Sequence, residues 1–237
     1  MNAFMRFFHL ILWQPLFNLL VVFYLLTGNL GIAIIILTLL VRVAMYPMQN
    51  KATKSQMIMQ ELQPEIKELQ QKYKDDKEKQ TKEIMALYKS KNVNPFSSIP
   101  ILLIQLPLFI ALFNMFREGI TQDTLKFLYT FVPAPVEVNT MFLGLDLSAP
   151  SKLMGVIVAV LFFVQMKYST VKTKKKGKKG DFGDIMQKQM MYLFPVLIGF
   201  AIASSPAGLG IYLVVGTLFL IVQQYFAKKK IIEIENV

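Results

Sequence analysis

From Asn29 to Pro47 the chain reads NLGIAIIILTLLVRVAMYP, an apolar run interrupted by one cation, Arg42. A helix from Leu30 to Met48, rising about 1.5 Å per residue, matches the hydrocarbon thickness of a bilayer, so this run is long enough to span. Counted back from the polar stretch that starts at Gln49, Arg42 lies roughly 10 Å below the surface. Either its long side chain snorkels to the near interface, or it faces protein and trapped water inside a bundle. Ahead of this run, Leu19 to Leu26 is uninterrupted but too short to cross, and Pro15 is expected to break a helix through Arg6, His9, Gln14 and Asn18. Residues 1–28 are therefore predicted to form an interfacial helix anchored by Trp13 and Phe17 and ended at Thr27 and Gly28.

Beyond Pro47 the pattern becomes polar and lysine-rich as far as Ser98. Ile58, Leu62, Ile66, Leu69 and Tyr73 recur at steps of three and four, which places them on one face of a helix. Ile84, Leu87 and Tyr88 repeat the pattern after the break at Lys74, Asp75 and Asp76. The spacing predicts a helical hairpin over 49–98 with Pro64 as a kink in its first arm. These stripes either zip the arms together or offer a docking surface, with Met57, Met59 and Met85 as adaptable contacts.

Four further apolar runs follow. Ile99 to Phe116 carries Pro100 and Pro107, tolerated where neighbouring helices satisfy the freed carbonyls, and it places Gln105 at about the depth of Arg42. An interhelical hydrogen bond to a backbone carbonyl is the plain alternative role for that amide. A connection of mixed charge (117–150) leads to a span at 151–167. The loop 168–188 holds Lys174, Lys175, Lys176, Lys178 and Lys179, which serve as a topology signal or as a contact for anionic lipid or ribosomal RNA. Spans at 189–205 and 206–227 are joined by the turn Ser204 to Gly208, a link short enough to predict antiparallel neighbours. The tail 228–237 begins with Lys228, Lys229 and Lys230.

Composition agrees with this picture: 54% of the 237 residues are hydrophobic, and the net charge of +11 falls between apolar runs rather than within them. Mean hydropathy is +0.45. With spans at 29–48, 99–116, 151–167, 189–205 and 206–227, the three basic segments share one face if the N-terminus is outside, as the positive-inside rule requires. The predicted fold is an all-α polytopic bundle of five spans with an interfacial N-terminal helix and a cytoplasmic helical hairpin.

The same residues narrow the chemistry. There are no cysteines and one histidine, His9, so thiolate metal sites, disulfides and metal or cofactor roles are not expected. Intramembrane proteolysis needs a base or a second acid beside its nucleophile, and Ser204 and Ser205 have neither. No span carries an acidic residue in its middle, as coupled ion transport usually does. No phosphate loop or nucleotide motif is present, so any energy input must come from elsewhere, and with no catalytic set among these residues no enzymatic role is expected. What remains is Arg42, the amides and hydroxyl of Gln105, Gln187 and Thr38, and the hairpin. Thr38 is one turn from Arg42 and shares its face. A groove lined by such groups would lower the cost of bringing polar peptide into the membrane, on the order of 3 kcal/mol per charged residue at the bilayer centre.

Five stretches, taken in order, resemble the YidC/Oxa/Alb family of membrane protein insertases. They are QPLFNLL from Gln14, GIAIIILTLLVRVAMYP around Arg42, LQPEIKELQQKYKDDKEK from Leu62, VNPF with IPILLIQLPLFIALF from Val93, and FPVL from Phe194 with SPAGLGIYLVVGTLFLIVQQY from Ser205. The resemblance implies an insertase and chaperone of the bacterial cytoplasmic (inner) membrane, with a hydrophilic groove in which Arg42 is the cation. Thr38 and Gln105 would line that groove, and Tyr212 would lie near its substrate. It also implies nascent membrane proteins and the lipid bilayer as partners, delivery from the ribosome or a Sec-type channel, and no cofactor. The chain is similar to the short form, without the large periplasmic domain. Gly216 and Thr217 depart from it, since many members carry Ser and Asn there. The rival readings are a non-enzymatic assembly scaffold and a lipid scramblase.

Overall fold

The computed structural model describes residues 6, 8–97, 99–169 and 182–235, with the backbone alone for 182–188 and 228–235. A π-helical turn, His9–Trp13, runs without a break into α1, Gln14–Thr27. Pro15 therefore does not interrupt this segment as expected. The N–H of Gln14 bonds back to the carbonyl of His9, a wide turn just ahead of the proline. Pro15 then falls in the first α-helical turn, where its missing N–H costs nothing. Gly28, at φ 64°, closes α1 by donating to the carbonyl of Tyr24 at 2.7 Å. Asn29 then caps the next helix by accepting from the N–H of Ile32 at 3.1 Å.

That helix, α2, spans Leu30–Glu61 and passes straight through Pro47. The boundary expected at 48/49 is not a helix boundary. The thirteen residues from Gln49 to Glu61 extend the helix by about 20 Å. They are mostly good helix formers, and a proline removes only one donor where the rest of the helix is sound. The break comes instead at Leu62, after which Pro64 lies in the first turn of α3, Gln63–Lys72. Pro64 thus starts a helix rather than kinking one. The carboxylate of Asp76 accepts from the N–H of Lys79 at 2.9 Å and caps α4, Lys77–Ser90. Gln80 ties the arms together by donating to the carbonyl of Gln70 at 2.8 Å.

The remaining long helices are α5 (Ile99–Glu118), α7 (Lys152–Ser169), α8 (Phe182–Ala203) and α9 (Ala207–Glu235). Between α5 and α7 lie the short α6 (Gln122–Leu125) and an antiparallel pair, β1 (Met141–Phe142) and β2 (Leu145–Asp146). α8 starts before the expected 189, and α9 carries the segment expected as a tail onward as helix to Glu235.

The tight turn between α8 and α9 does not make them partners along their length; they meet near that turn. α8 packs instead on α7. A Cβ on Gly155 would stand 2.6 Å from the carbonyl oxygen of Gly199, so the two backbones touch there. Phe163 and Tyr192 continue the seam with ring centroids 5.6 Å apart. Helices in lipid gain little from hydrophobicity and associate where small residues allow close approach. α9 turns its other faces to α2 and α7.

Among the described residues, five segments are long and apolar enough to cross a membrane: His9–Thr27, Leu30–Glu61, Ile99–Glu118, Lys152–Ser169 and Ala207–Ala227. The apolar part described in α8, Gln189–Ala203, is shorter. The first of these is bound along its length to the connection after α5. Gln14 and Asn18 donate to the carbonyl of Phe127 at 2.9 and 3.1 Å, and Tyr129 donates its N–H to Asn18 at 2.7 Å. Ten residues further on, Tyr24 donates to the carbonyl of Glu137 at 3.1 Å and accepts from the N–H of Asn139 at 2.9 Å. The α8–α9 turn joins this layer, with the N–H groups of Ala207 and Gly208 donating to the carbonyls of Ala149 and Leu147 at 2.9 and 3.0 Å. One end of the bundle therefore carries α1, the connection and this turn, while the α3–α4 hairpin extends from the opposite end of α2.

Candidate functional site

α2 and α9 both start in that layer, so they run side by side in the same direction. Their facing surfaces bring Arg42 against Tyr212 and Gly216. The guanidinium carbon lies 6.0 Å from the centre of the Tyr212 ring, within cation–π range. A Cβ at Gly216 would stand 2.5 Å from Nη2 and 2.9 Å from Nε, so the absence of a side chain there makes the space for the guanidinium. Arg42 is 5% exposed and Tyr212 1%. The snorkelling alternative requires an open path for the side chain to the surface, and the guanidinium is instead packed between helices.

Gln105 on α5 completes the group by donating from Nε2 to the hydroxyl of Tyr212 at 3.0 Å. Arg42, Tyr212 and Gln105 thus meet from three helices, although they are distant in sequence. Gln105 does make an interhelical hydrogen bond, but its acceptor is the hydroxyl of the tyrosine beside the arginine and not the backbone carbonyl expected. Thr38 is buried one turn from Arg42 and gives its proton to the carbonyl of Ile34 at 2.6 Å, so it offers this site an acceptor rather than a donor. The side chain of Gln187 lies outside the described residues. So do Lys174, Lys175, Lys176, Lys178 and Lys179, together with the side chains of Lys228, Lys229 and Lys230.

The site is electrostatically unfinished. Among the described residues Arg42 has no carboxylate partner, and its Nε has no hydrogen-bond partner. The side-chain oxygen of Gln105 is likewise unmatched. Buried groups of this kind are normally satisfied, so a guest group or water belongs here. In this conformation the site is closed rather than an open groove. A cavity of about 450 Å³ lies instead at the opposite end of the bundle, lined by Leu30, Ile34, Phe116, Glu118, Thr121 and Gly208 among others.

In the hairpin, Leu62 and Ile66 are buried, and Ile58, Leu69, Tyr73, Ile84, Leu87 and Tyr88 are half-buried. The stripe is therefore largely spent on packing, which favours the zipper over the docking surface. Lys72 and Lys79 each place an ammonium 5.2 Å from the centre of the Tyr73 ring. Burial pushes the Tyr88 phenol up from its ordinary value. Met57 is buried too, whereas Met85 and Phe96 are exposed.

Sequence reasoning missed Gly216 as the partner of the cation, and it missed three buried glutamines, Gln49, Gln223 and Gln224. The signal was available for two of these: Gln223 and Gln224 stand two turns beyond Gly216 within the apolar run 218–227 of α9.

Comparison with known proteins is consistent across sequence and structure. Residues 22–234 match the 60Kd inner membrane protein family. A curated relative from Rickettsia felis, named membrane protein insertase YidC, is 33% identical over 228 residues, which is 92% of this chain and 39% of that protein. The protein of the same name from Caulobacter vibrioides is 32% identical over 229 residues, 94% of this chain and 37% of that one. This chain therefore spans well under half the length of these relatives. A crystal structure described as an active YidC insertase with the first transmembrane domain resolved superposes with a TM-score of 0.62 and 30% identity, covering 90% of this chain and 46% of that one.

Proposed function

The chain belongs to the 60Kd inner membrane protein family, and on that premise we propose that it is itself a membrane protein insertase and chaperone, acting without a cofactor. The observation that carries this reading is the buried guanidinium of Arg42, held between Tyr212 and Gly216 with no acid among the described residues to neutralise it. An uncompensated cation inside a bundle of spans is costly, on the order of 3 kcal/mol even at the low end of measured scales. Such a group is retained where something transient supplies the counter-charge. An acidic or strongly polar flank of a peptide entering the membrane is such a group, and in a low-dielectric site its attraction to Arg42 far exceeds that in water.

In the topology we favour, α2, α5, α7, α8 and α9 cross the membrane, α1 lies along the outer interface, and the N-terminus is outside. The hydrogen bonds from both ends of α1 to the connection support the interfacial placement, because a crossing helix would meet that layer at one end only. The hairpin, the 168–188 loop and the tail then share the cytoplasmic side with nearly all the lysines. α5 is the element best suited to open the site: Gln105 is its polar tie to Tyr212, and most of its apolar face is exposed. Its departure would uncover Arg42 to lipid and to the cytoplasm together. Substrates would arrive from the ribosome or a Sec-type channel, with the lysine clusters as contacts for ribosomal RNA or anionic lipid.

Reconstitution of the purified protein in liposomes tests this directly. An insertase moves the polar tail of a small single-span protein across the bilayer. A scaffold leaves the tail outside, and a scramblase flips labelled lipid without any peptide; either of those results contradicts the proposal.

A further inference from the structure

Closer to the hairpin end than Arg42, the same two helices carry a second polar level. Arg42 faces Gly216. Two turns further along each helix, about 10.5 Å at the α-helical rise, stand Gln49 and Gln223. Because α2 and α9 run in the same direction, this equal step keeps the two glutamines level. Gln49 is 6% exposed, Gln223 3% and its neighbour Gln224 6%. Gln223 donates from Nε2 to the backbone carbonyl of Tyr46 at 3.5 Å, which spans the two helices and leaves its oxygen directed elsewhere. The side-chain oxygens of all three glutamines have no hydrogen-bond partner among the described residues. Ala52 and Ala227, both buried, continue the two helix faces with methyl groups.

Three buried acceptors without donors, beside the route to an unmatched cation, are met by water or by a ligand that brings donors and displaces it. Phosphate and carboxylate groups bring only acceptors, which cannot pair with these oxygens. A cation would be stripped of water against neutral amides. A formed helix offers no more than its first four N–H groups. A chain that has not yet become helical offers one at every residue. We propose that Gln49, Gln223 and Gln224 form a binding site for the main chain of an incoming, non-helical polypeptide, whose N–H groups donate to the three carboxamide oxygens before its polar flank reaches Arg42. This rests on the insertase reading above and adds a first station to it: the backbone is held at the glutamines, the flank at the arginine.

The experiment uses the full chain in liposomes with a small single-span substrate, and compares the unaltered protein, Arg42→Ala, and the double variant Gln49→Met/Gln223→Met, which keeps side-chain size and removes the acceptors. A parallel set carries Ala52→Cys, a unique thiol because the chain has no cysteine, for cross-linking to a cysteine in the substrate. The double variant is expected to insert roughly tenfold more slowly, the size of two lost hydrogen bonds, with an unchanged Tm in detergent and a lost cross-link. Normal insertion by the double variant while Arg42→Ala is impaired overturns the glutamine site and leaves the insertase reading standing. So does the absence of any cross-link from position 52 in the protein that keeps its glutamines, a result independent of how the methionine variant folds. Failure of the unaltered protein to insert overturns both.

Discussion

The arginine site is built as much by a missing atom as by the groups present. At Gly216 a Cβ would stand 2.5 Å from the Arg42 guanidinium, so Gly216→Leu is expected to displace the side chain and lower insertion at least tenfold, measured in liposomes. Gly216→Ala meets only the movable end of Arg42 and should cost less. Tyr212 contributes both a ring under the cation and the hydroxyl that receives Gln105. Tyr212→Phe keeps the first and removes the second. If that hydrogen bond holds α5 closed, the variant opens more readily, and a unique cysteine placed at position 38, buried on α2 one turn from Arg42, should react faster with a water-soluble thiol reagent in Tyr212→Phe than in the background that keeps the tyrosine. An unchanged rate would show that other contacts hold α5. The polarity of Arg42, Gln105 and Thr38 was legible in the sequence, because a charged or amide group inside an apolar run stands out whatever it touches. Gly216 was not, since a glycine's purpose lies in the neighbour it admits.

At the scale of elements, hydropathy located the long apolar helices but misplaced their ends, and among the described residues His9–Thr27, expected at the interface, is long enough to cross whereas the apolar part of α8, expected to cross, is shorter. The end of apolar character at Met48 is a change of surroundings rather than of backbone, and α2 continues to Glu61 because its polar residues propagate a helix as readily as its apolar ones. Chain proximity misled in a similar way for α8 and α9. A short turn fixes where two helices begin and end, whereas the glycine contact between Gly155 and Gly199 decides which helices lie together. Gly199→Leu drives a large side chain into the backbone of α7, and the expected result is a loss of about 2 kcal/mol or more in detergent unfolding, with α8 detached first. In the hairpin, Asp76→Ala removes the cap of α4 and should cost about 1 kcal/mol of local stability, seen as faster amide exchange over Lys77–Lys79 with insertion little changed. A large loss of insertion would give the hairpin a role beyond its own packing.

Over the whole molecule, two polar levels on the parallel pair α2 and α9 lead from the hairpin end toward the middle of the bundle. A layer formed by α1, the connection and the α8–α9 turn covers the opposite end. Apolar side chains including Ile34, Leu37, Leu112 and Leu209 are buried in the core between. The molecule thus carries its buried cation and amides on the hairpin half, while the other half is capped by that layer and holds the cavity beside Leu30 and Gly208. The overall class was readable because a bilayer imposes lengths and charge asymmetry on any chain that crosses it. The layer at the far end was not, since its hydrogen bonds join Gln14, Asn18 and Tyr24 to backbone more than a hundred residues away.

The account turns on whether the buried cation meets a charge on the guest. Insertion by the unaltered protein and by Arg42→Ala should be compared for two forms of one single-span substrate that differ only in whether the translocated tail is acidic or neutral. Loss of the guanidinium is expected to slow the acidic form by at least tenfold and the neutral form by far less, with Arg42→Lys in between. Equal slowing of both forms, or of neither, at matched protein levels would contradict the role given to Arg42.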